Sequence, residues 1–247
     1  MKNKLLFLFL FLFSISKYSI AQSRAQNDAQ LWENIYVEKN LTKKWIARIN
    51  EEGRIINNFS DPSFIYLDIG FNYKQNKYMH WEIAYVLTEK QQQPNNWIPQ
   101  YPDTWSMRHQ AYIALTLRKK LFANFMFKNR VMFQWQVQDI LSSPTGRYAQ
   151  YYARDKFSIT FEKFFKLQPY IAEETYCFLN EPYVYWRYRF NRIRYFAGLY
   201  YNVNLANQWE IYYLIENNFN QTKFNSNYTV ENPQNNWVIG LGYSHTF

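Results

Sequence analysis

Three histidines are the side chains of this sequence with the chemistry of a general base: His80, His109 and His245. Ser244 stands directly before His245, and a serine activated by a histidine is the machinery of many hydrolases and acyltransferases. Adjacent residues of a β-strand point to opposite faces, however, so Ser244 and His245 cannot form that pair. The adjacent carboxylates Glu51 and Glu52 are separated in the same way. The sequence therefore predicts no catalytic residue, and it has no motif that predicts a metal or cofactor site.

A larger set of polar side chains recurs on one face of otherwise apolar segments. Its members are Arg48, Glu52, Asp68, His80, Glu82, Arg108, Arg130, Arg154, Glu174, Arg192, Arg194 and Glu210. The dry core of a soluble protein could not hold so many charges, although a solvated sheet face could. In a narrow barrel these groups would pair across a polar lumen and offset each other's desolvation. We predict that they form a lumen network.

The elements that would position these residues are β-strands, because apolar residues alternate with polar ones almost throughout. In segment 78–88, for example, Trp81, Ile83 and Tyr85 share one face, and His80 and Glu82 share the other. No segment has a convincing helical period. The predicted strands are 30–38, 44–54, 64–73, 78–88, 106–118, 122–136, 147–162, 166–178, 190–203, 208–217 and 236–247.

Strand length, aromatic placement and link length favour a transmembrane barrel over a soluble β-sandwich or lipocalin-like barrel. The strands are longer than the five or so residues that are usual in soluble sheets and suit a tilted crossing of a bilayer. Tryptophans and tyrosines lie near strand ends, where interfacial girdles occur. Short links alternate with longer ones, such as 55–63 and 90–105, and we expect short periplasmic turns and longer outer loops.

The N-terminal segment has the pattern of a secretory signal peptide. Lys2 and Lys4 precede an apolar run from Leu5 to Phe13, and Ser19-Ile20-Ala21 provides small residues before a cleavage site. We predict that residues 1–21 are removed and that residues 22–247 form a single barrel domain in the bacterial outer membrane.

The C-terminal segment resembles the last strand of outer-membrane barrels, which the barrel assembly machinery reads. It ends in an aromatic residue and alternates apolar side chains before it, although a histidine, His245, stands where an aromatic is common. The predicted assembly signal comprises Trp237, Ile239, Leu241, Tyr243 and Phe247.

The whole layout resembles the bacterial proteins grouped as domain of unknown function 2490. The residues that carry the resemblance are the start "AQLWENIYVEKNLTKKWIARINEEGRI", the later "RIRYFAGLYYNVN" and "WEIYYLIE", and the end "NWVIGLGYSHTF". It covers about residues 28–247. The resemblance implies an outer-membrane β-barrel with no assigned activity, and it supplies no catalytic residues.

Strand number presents a parity problem, because the pattern yields an odd number of segments and single-chain bacterial barrels are even-numbered. The sequence predicts an all-β, closed antiparallel barrel of 10–12 strands. Segment 30–38 would then either enter or line a ten-stranded barrel, or pair as an eleventh strand with a twelfth that the pattern does not reveal.

The net charge of the chain and the positions of its basic residues indicate which partners it could bind. The formal net charge is +9, but the basic residues are dispersed and several lie near the short turns, which favours contact with outer-membrane lipids over nucleic acid. Loop 90–105 mixes amides with aromatics, a composition that suits either a plain exposed loop or contact with surface polysaccharide.

Taken together, these features predict a non-enzymatic outer-membrane barrel with a structural, adhesive or narrow-pore role. Two alternatives stay open at this stage: a lipid-modifying outer-membrane enzyme and a soluble periplasmic lipocalin-like binding protein.

Overall fold

The computed structural model describes residues 28–91, 105–122, 124–138, 149–164, 166–180, 190–218, 221–224, 227–230 and 234–247. The predicted signal peptide and most of loop 90–105 lie outside these residues. Within the described ranges, no helix is long and apolar enough to cross a membrane.

The described residues form a closed barrel of eleven strands and a separate two-stranded hairpin. This confirms the all-β barrel class. The strands are β1 (Asp28–Asn40), β2 (Trp45–Ile56), β3 (Asp61–Lys74), β4 (Met79–Gln91), β5 (Trp105–Phe122), β6 (Phe125–Gln138), β7 (Gln150–Phe161), β8 (Leu167–Phe178), β9 (Phe190–Asn202), β10 (Asn207–Asn218), β11 (Gln221–Phe224), β12 (Asn227–Val230) and β13 (Gln234–Thr246).

The barrel closes through a parallel pair, β1 with β13, whereas every other neighbouring pair in the wall is antiparallel. The predicted number of 10–12 strands is confirmed, and segment 30–38 is the eleventh strand of the wall rather than a segment that lines a ten-stranded barrel. The expected twelfth strand is absent from the closed ring of described strands. The reason is geometric, because an odd ring of alternating strand directions must contain one parallel pair.

The two ends of the barrel differ. The short-turn end carries the links 41–44, 75–78 and 203–206 and the C-terminal Phe247, and β5 and β7 also end there. The opposite end, which we call the long-loop end, is where β2, β4, β6, β8 and β10 end. One predicted long link, 55–63, is instead the tight turn 57–60, in which Asn57, Asn58 and Phe59 have positive φ. Asn58 also binds the start of β1, since its amide donates to the Asp28 carboxylate at 3.0 Å.

The outer face of the wall is apolar and exposed. Ile83, Ile113 and Phe133 lie side by side on β4, β5 and β6, and each is about half exposed. Four carboxylates interrupt this face near mid-strand: Glu33, Glu51, Asp155 and Glu173.

Aromatic pairs surround the short-turn end of the outer face. The ring centroids of Trp45 and Tyr73, on β2 and β3, are 4.9 Å apart. Those of Trp209 and Tyr243 are 4.8 Å apart, and Phe125 and Phe161 make a third such pair at 5.0 Å. Pairs of this kind stabilise adjacent strands.

Candidate functional site: the barrel interior

All twelve residues predicted for the lumen network lie on the inner face of the wall. Eleven of them belong to the alternate set that contains the buried residues of their strand, as Arg108 on β5 shares a face with Gln110 and Tyr112, and Arg154 on β7 contacts the buried Glu174. Most of them meet an oppositely charged or hydrogen-bonding partner, and they form separate groups at different heights in the barrel.

The first group, which we call the ion-pair layer, lies at mid-height and consists of Arg48, Asp68, Glu82, Tyr112 and Arg130. Arg48 is 2.6 Å from Glu82 and 3.1 Å from Asp68. Arg130 makes two hydrogen bonds to Glu82, both at 3.0 Å. The Tyr112 hydroxyl accepts from Arg48 and is 2.7 Å from Asp68. These contacts link five consecutive strands, β2 to β6.

The second group lies towards the long-loop end and is centred on two buried carboxylates, Glu174 and Glu216. Arg154 is 2.7 Å from Glu174. Arg194 contacts both acids, at 3.3 Å to Glu174 and 2.6 Å to Glu216, and also donates to the Tyr176 hydroxyl. The sequence prediction omitted Glu216, although it shares the polar face of β10 with the predicted Glu210.

A tryptophan connects this second group to the first strands of the barrel. The guanidinium carbon of Arg194 is 5.0 Å from the Trp32 ring centroid, and that of Arg54 is 3.8 Å from the same ring. The two arginines thus both stack on Trp32, a favourable cation–π arrangement. Arg54 also pairs with the predicted Glu52 at 2.5 Å.

Apolar side chains form two clusters in the interior on the long-loop side of the ion-pair layer. Ala84, Val86 and Ala114 pack with Met132 and Tyr112 in one cluster. Leu214 and Val238 pack with Trp32 in another. Val86, Leu214 and Val238 are fully buried. The long-loop half of the described interior therefore contains closely packed apolar clusters beside the second charged group.

The short-turn half contains a cavity of 720 Å³, which we call the vestibule. The ion-pair layer forms its floor. One side carries the basic wall, which we define as Lys74, His80, Arg118, Lys128 and Lys156 on β3 to β7; its first four members line the cavity directly, and Lys156 stands opposite the lining residue Arg130. The facing side has Glu38, Glu210 and amide side chains.

Three predicted residues, Arg108, His80 and Glu210, have no ion-pair partner in the described structure. The Nε atom of Arg108 is buried without a hydrogen-bond partner. His80 lines the vestibule, and none of its hydrogen bonds in the described residues joins it to a hydroxyl. Glu210 has no ion pair but accepts a hydrogen bond from Tyr170.

The other two histidines belong to the outer face. His109 lies 2.5 Å from the Tyr85 hydroxyl, and His245 lies 2.7 Å from the side-chain oxygen of Asn207. Ser244 lines the vestibule, on the opposite face from His245. The predicted assembly-signal residues Trp237, Ile239, Leu241 and Tyr243 share this outer face on β13.

A family model matches this barrel-forming sequence. The model is described as protein of unknown function (DUF2490), and the match covers residues 29–229. The chain belongs to the DUF2490 family. The match confirms the resemblance seen in the sequence and includes every strand of this DUF2490 barrel except β13.

Solved structures share the barrel architecture at low sequence identity. The porin NanC, in a rhombohedral crystal form, aligns with a TM-score of 0.50 and 13% identity over 89% of this chain and 99% of its own. The β domain of the Bordetella autotransporter BrkA aligns with a TM-score of 0.49 and 10% identity over 82% of this chain and 83% of that chain. The comparison with curated proteins gave no match. The likeness to NanC concerns the fold.

Proposed function

We propose that this DUF2490 protein is a non-enzymatic outer-membrane β-barrel whose interior is closed at rest, so that its role is structural rather than that of an open pore. The observation that carries the closed state is the ion-pair layer between β2 and β6, backed by the packed long-loop half.

The outer face supports a membrane location. The surface formed by Ile83, Ile113 and Phe133 is apolar. Its exposure to water would be unfavourable, whereas contact with the hydrocarbon chains of a bilayer would not. The aromatic pairs at the short-turn end have the position of an interfacial girdle. The mid-strand carboxylates are the exception on this face, and at the lipid face acidic groups cost less than basic ones. The signal-peptide pattern of residues 1–21 supports export.

The interior supports a closed barrel. Opening a path through the ion-pair layer would separate Glu82 from Arg48 and Arg130 and leave buried charges unpaired, which costs several kcal/mol. The chemistry of the histidines supports the absence of catalysis, because His80 has no hydroxyl bound to it in the described structure and the other two lie on the outer face.

Fractionation and single-channel recording test the proposal. We expect the protein to be recovered in the outer membrane of a Gram-negative host and to migrate differently on gels with and without boiling. Purified wild-type protein should give no steady conductance in planar bilayers. The double variant Arg48→Ala/Arg130→Ala removes both arginines of the ion-pair layer. It should raise the frequency of channel-opening events at least tenfold.

The matched control is Lys43→Ala/Lys119→Ala, which removes two positive charges from exposed positions outside the lumen. Recovery of the wild type as a soluble periplasmic protein would contradict the membrane assignment. A steady open conductance of the wild type would contradict the closed interior. Altered phospholipid or lipid A chains in cells that express the wild type, but not the His80→Ala variant, would contradict the absence of catalysis.

A further inference from the structure

Two pairs of basic residues are direct partners across neighbouring strands on the inner face of the wall. Arg118 on β5 is directly opposite Lys128 on β6, and Arg130 on β6 is directly opposite Lys156 on β7. All four side chains point inward. Like charges in this position are destabilising. The charges of the second pair are offset elsewhere, because Arg130 bonds Glu82 at 3.0 Å and the Lys156 ammonium lies 4.0 Å from the Phe196 ring centroid. Arg118 and Lys128 both line the vestibule, so the fold holds one unfavourable contact there.

Arg118, Lys128 and Lys156 form no ion pair, unlike the arginines of the ion-pair layer and of the second group. Arg48, Arg130, Arg154 and Arg194 each have a carboxylate within 3.3 Å. In the described part of the chain, none of the five basic-wall residues has a carboxylate within 4.0 Å. The Nε atom of Arg118 is buried without a hydrogen-bond partner.

Lys74 and His80 extend the same side of the cavity. They are direct partners on β3 and β4, and both line the vestibule with Arg118 and Lys128. Acidic side chains across the cavity are already engaged: Glu38 accepts hydrogen bonds from Tyr36 at 2.6 Å and Asn72 at 3.1 Å. Among the described residues, neither Glu38 nor Glu210 makes an ion pair with the basic wall.

We propose that the vestibule is a binding site for a phosphate group, entered from the short-turn end. Arg118 and Lys128 would contact the phosphate oxygens directly, since guanidinium and ammonium groups form strong charge-assisted hydrogen bonds to phosphate. Lys74 flanks this position. A bound dianion offsets the repulsion between Arg118 and Lys128. The cavity of 720 Å³ also has room for the rest of a phosphate ester.

This site does not depend on the location or the closed state of the barrel, so it is tested in detergent. Wild-type protein in a neutral detergent is titrated with sodium phosphate and with glycerol 3-phosphate, against sodium chloride at equal ionic strength. We expect a saturable rise of the melting temperature with both phosphates and not with chloride, because a ligand that binds only the folded state stabilises it.

The variant Arg118→Gln/Lys128→Gln removes both positive charges that would contact the phosphate. We expect its dissociation constant for phosphate, measured by calorimetry, to rise at least tenfold. Without phosphate, the single variant Lys128→Gln should melt higher than the wild type, because it relieves the repulsion from Arg118. This second measurement keeps the test valid if the double variant folds poorly.

The control Lys43→Gln/Lys119→Gln has the same loss of charge, and Lys119 neighbours Arg118 on the outer face. It should bind phosphate as the wild type does. The proposal is overturned if phosphate and chloride act alike on the wild type, or if the control loses as much affinity as the vestibule variant.

The source of the phosphate is separated by repeating the titration in lipid nanodiscs. If an anionic lipid headgroup fills the vestibule, phosphatidylglycerol discs should abolish the response that phosphatidylcholine discs retain. An equal response in both discs assigns the site to a free phosphate compound. Loss of the response in both kinds of disc would count against the site.

Discussion

Arg48 and Glu82 meet at 2.6 Å although the strand β3 separates their own strands, β2 and β4. Their side chains cross the curved inner surface rather than the hydrogen-bonded ladder. Asp68, on the intervening strand β3, also contacts Arg48, at 3.1 Å. The ion-pair layer therefore ties together strands that share no backbone hydrogen bonds.

Loss of the central carboxylate should be costly. Glu82→Gln leaves both Arg48 and Arg130 short of a counter-charge, and removal of one partner from a buried ion pair costs about 3–5 kcal/mol. Glu52→Gln is the matched control, because Glu52 pairs with Arg54 alone. We expect a clearly smaller loss for the control in urea unfolding from lipid vesicles. Equal losses of unfolding free energy for the two variants would show that the ion-pair layer contributes no more to stability than the single Glu52–Arg54 pair.

A basic residue on the outer face should block insertion into bilayers. Ile113 is near the middle of β5 and is 47% exposed. Ile113→Arg should make folding into vesicles less favourable by about 2–4 kcal/mol. Leu205→Arg, in the turn before β10, should fold as the wild type does. If the wild type folds in plain buffer and Ile113→Arg fails there, the apolar face covers a soluble core and the membrane assignment is wrong.

The parallel seam can be tested by disulfide formation. Ile35 on β1 is the direct partner of Tyr243 on β13. The variant Ile35→Cys/Tyr243→Cys, with Cys177→Ser to remove the native thiol, should crosslink after oxidation, because paired strands bring Cα atoms within the range of about 4–7 Å that a disulfide needs.

The seam control moves one cysteine along β13. Ile239 is the partner of Leu31, four residues from Ile35 along β1. At about 3.3 Å per residue this places Ile35→Cys and Ile239→Cys roughly 13 Å apart, too far for a disulfide. A crosslink in the control of the same yield as in the direct pair would contradict the register.

Glycines make room for inward tyrosine rings, and filling that space should destabilise the barrel. Tyr212 on β10 has Gly240 as its direct partner on β13, and a Cβ added to Gly240 would overlap the Tyr212 ring. We expect Gly240→Ala to cost about 1–3 kcal/mol, as overpacking does. The double variant Gly240→Ala/Tyr212→Leu should recover part of the loss. A double-mutant cycle with no coupling would contradict the contact.

Much of the fold could be predicted from the sequence because a barrel wall has two faces of different chemistry. Alternation located all eleven wall strands. It could not reveal the hairpin of β11 and β12, whose strands have four residues each. It also placed a long link at 55–63, where β2 in fact runs to Ile56 and β3 begins at Asp61. In the structure Pro62 lies at a bulge, where a missing N–H is tolerated.

The candidate site was less predictable. The face of each charged residue follows from alternation, so Arg48 and Glu82 could be assigned to the lumen. Their pairing could not, because it depends on the curvature that brings β2 and β4 together. The absence of nearby acids around Arg118 and Lys128 is likewise a property of the closed ring and not of either strand.

The parallel seam also bears on the order of folding. The ten antiparallel strands from β2 to β13 can add one after another as hairpins, which are local contacts and form early. The pairing of β1 with β13 joins the two extremes of the chain and has the highest loop-closure entropy cost of any strand pair. Until it forms, the edges of β1 and β13 expose unpaired amide and carbonyl groups, the feature that drives strand aggregation. Seam formation is therefore expected to be the last and slowest step, and the step after which the chain no longer needs protection from its neighbours.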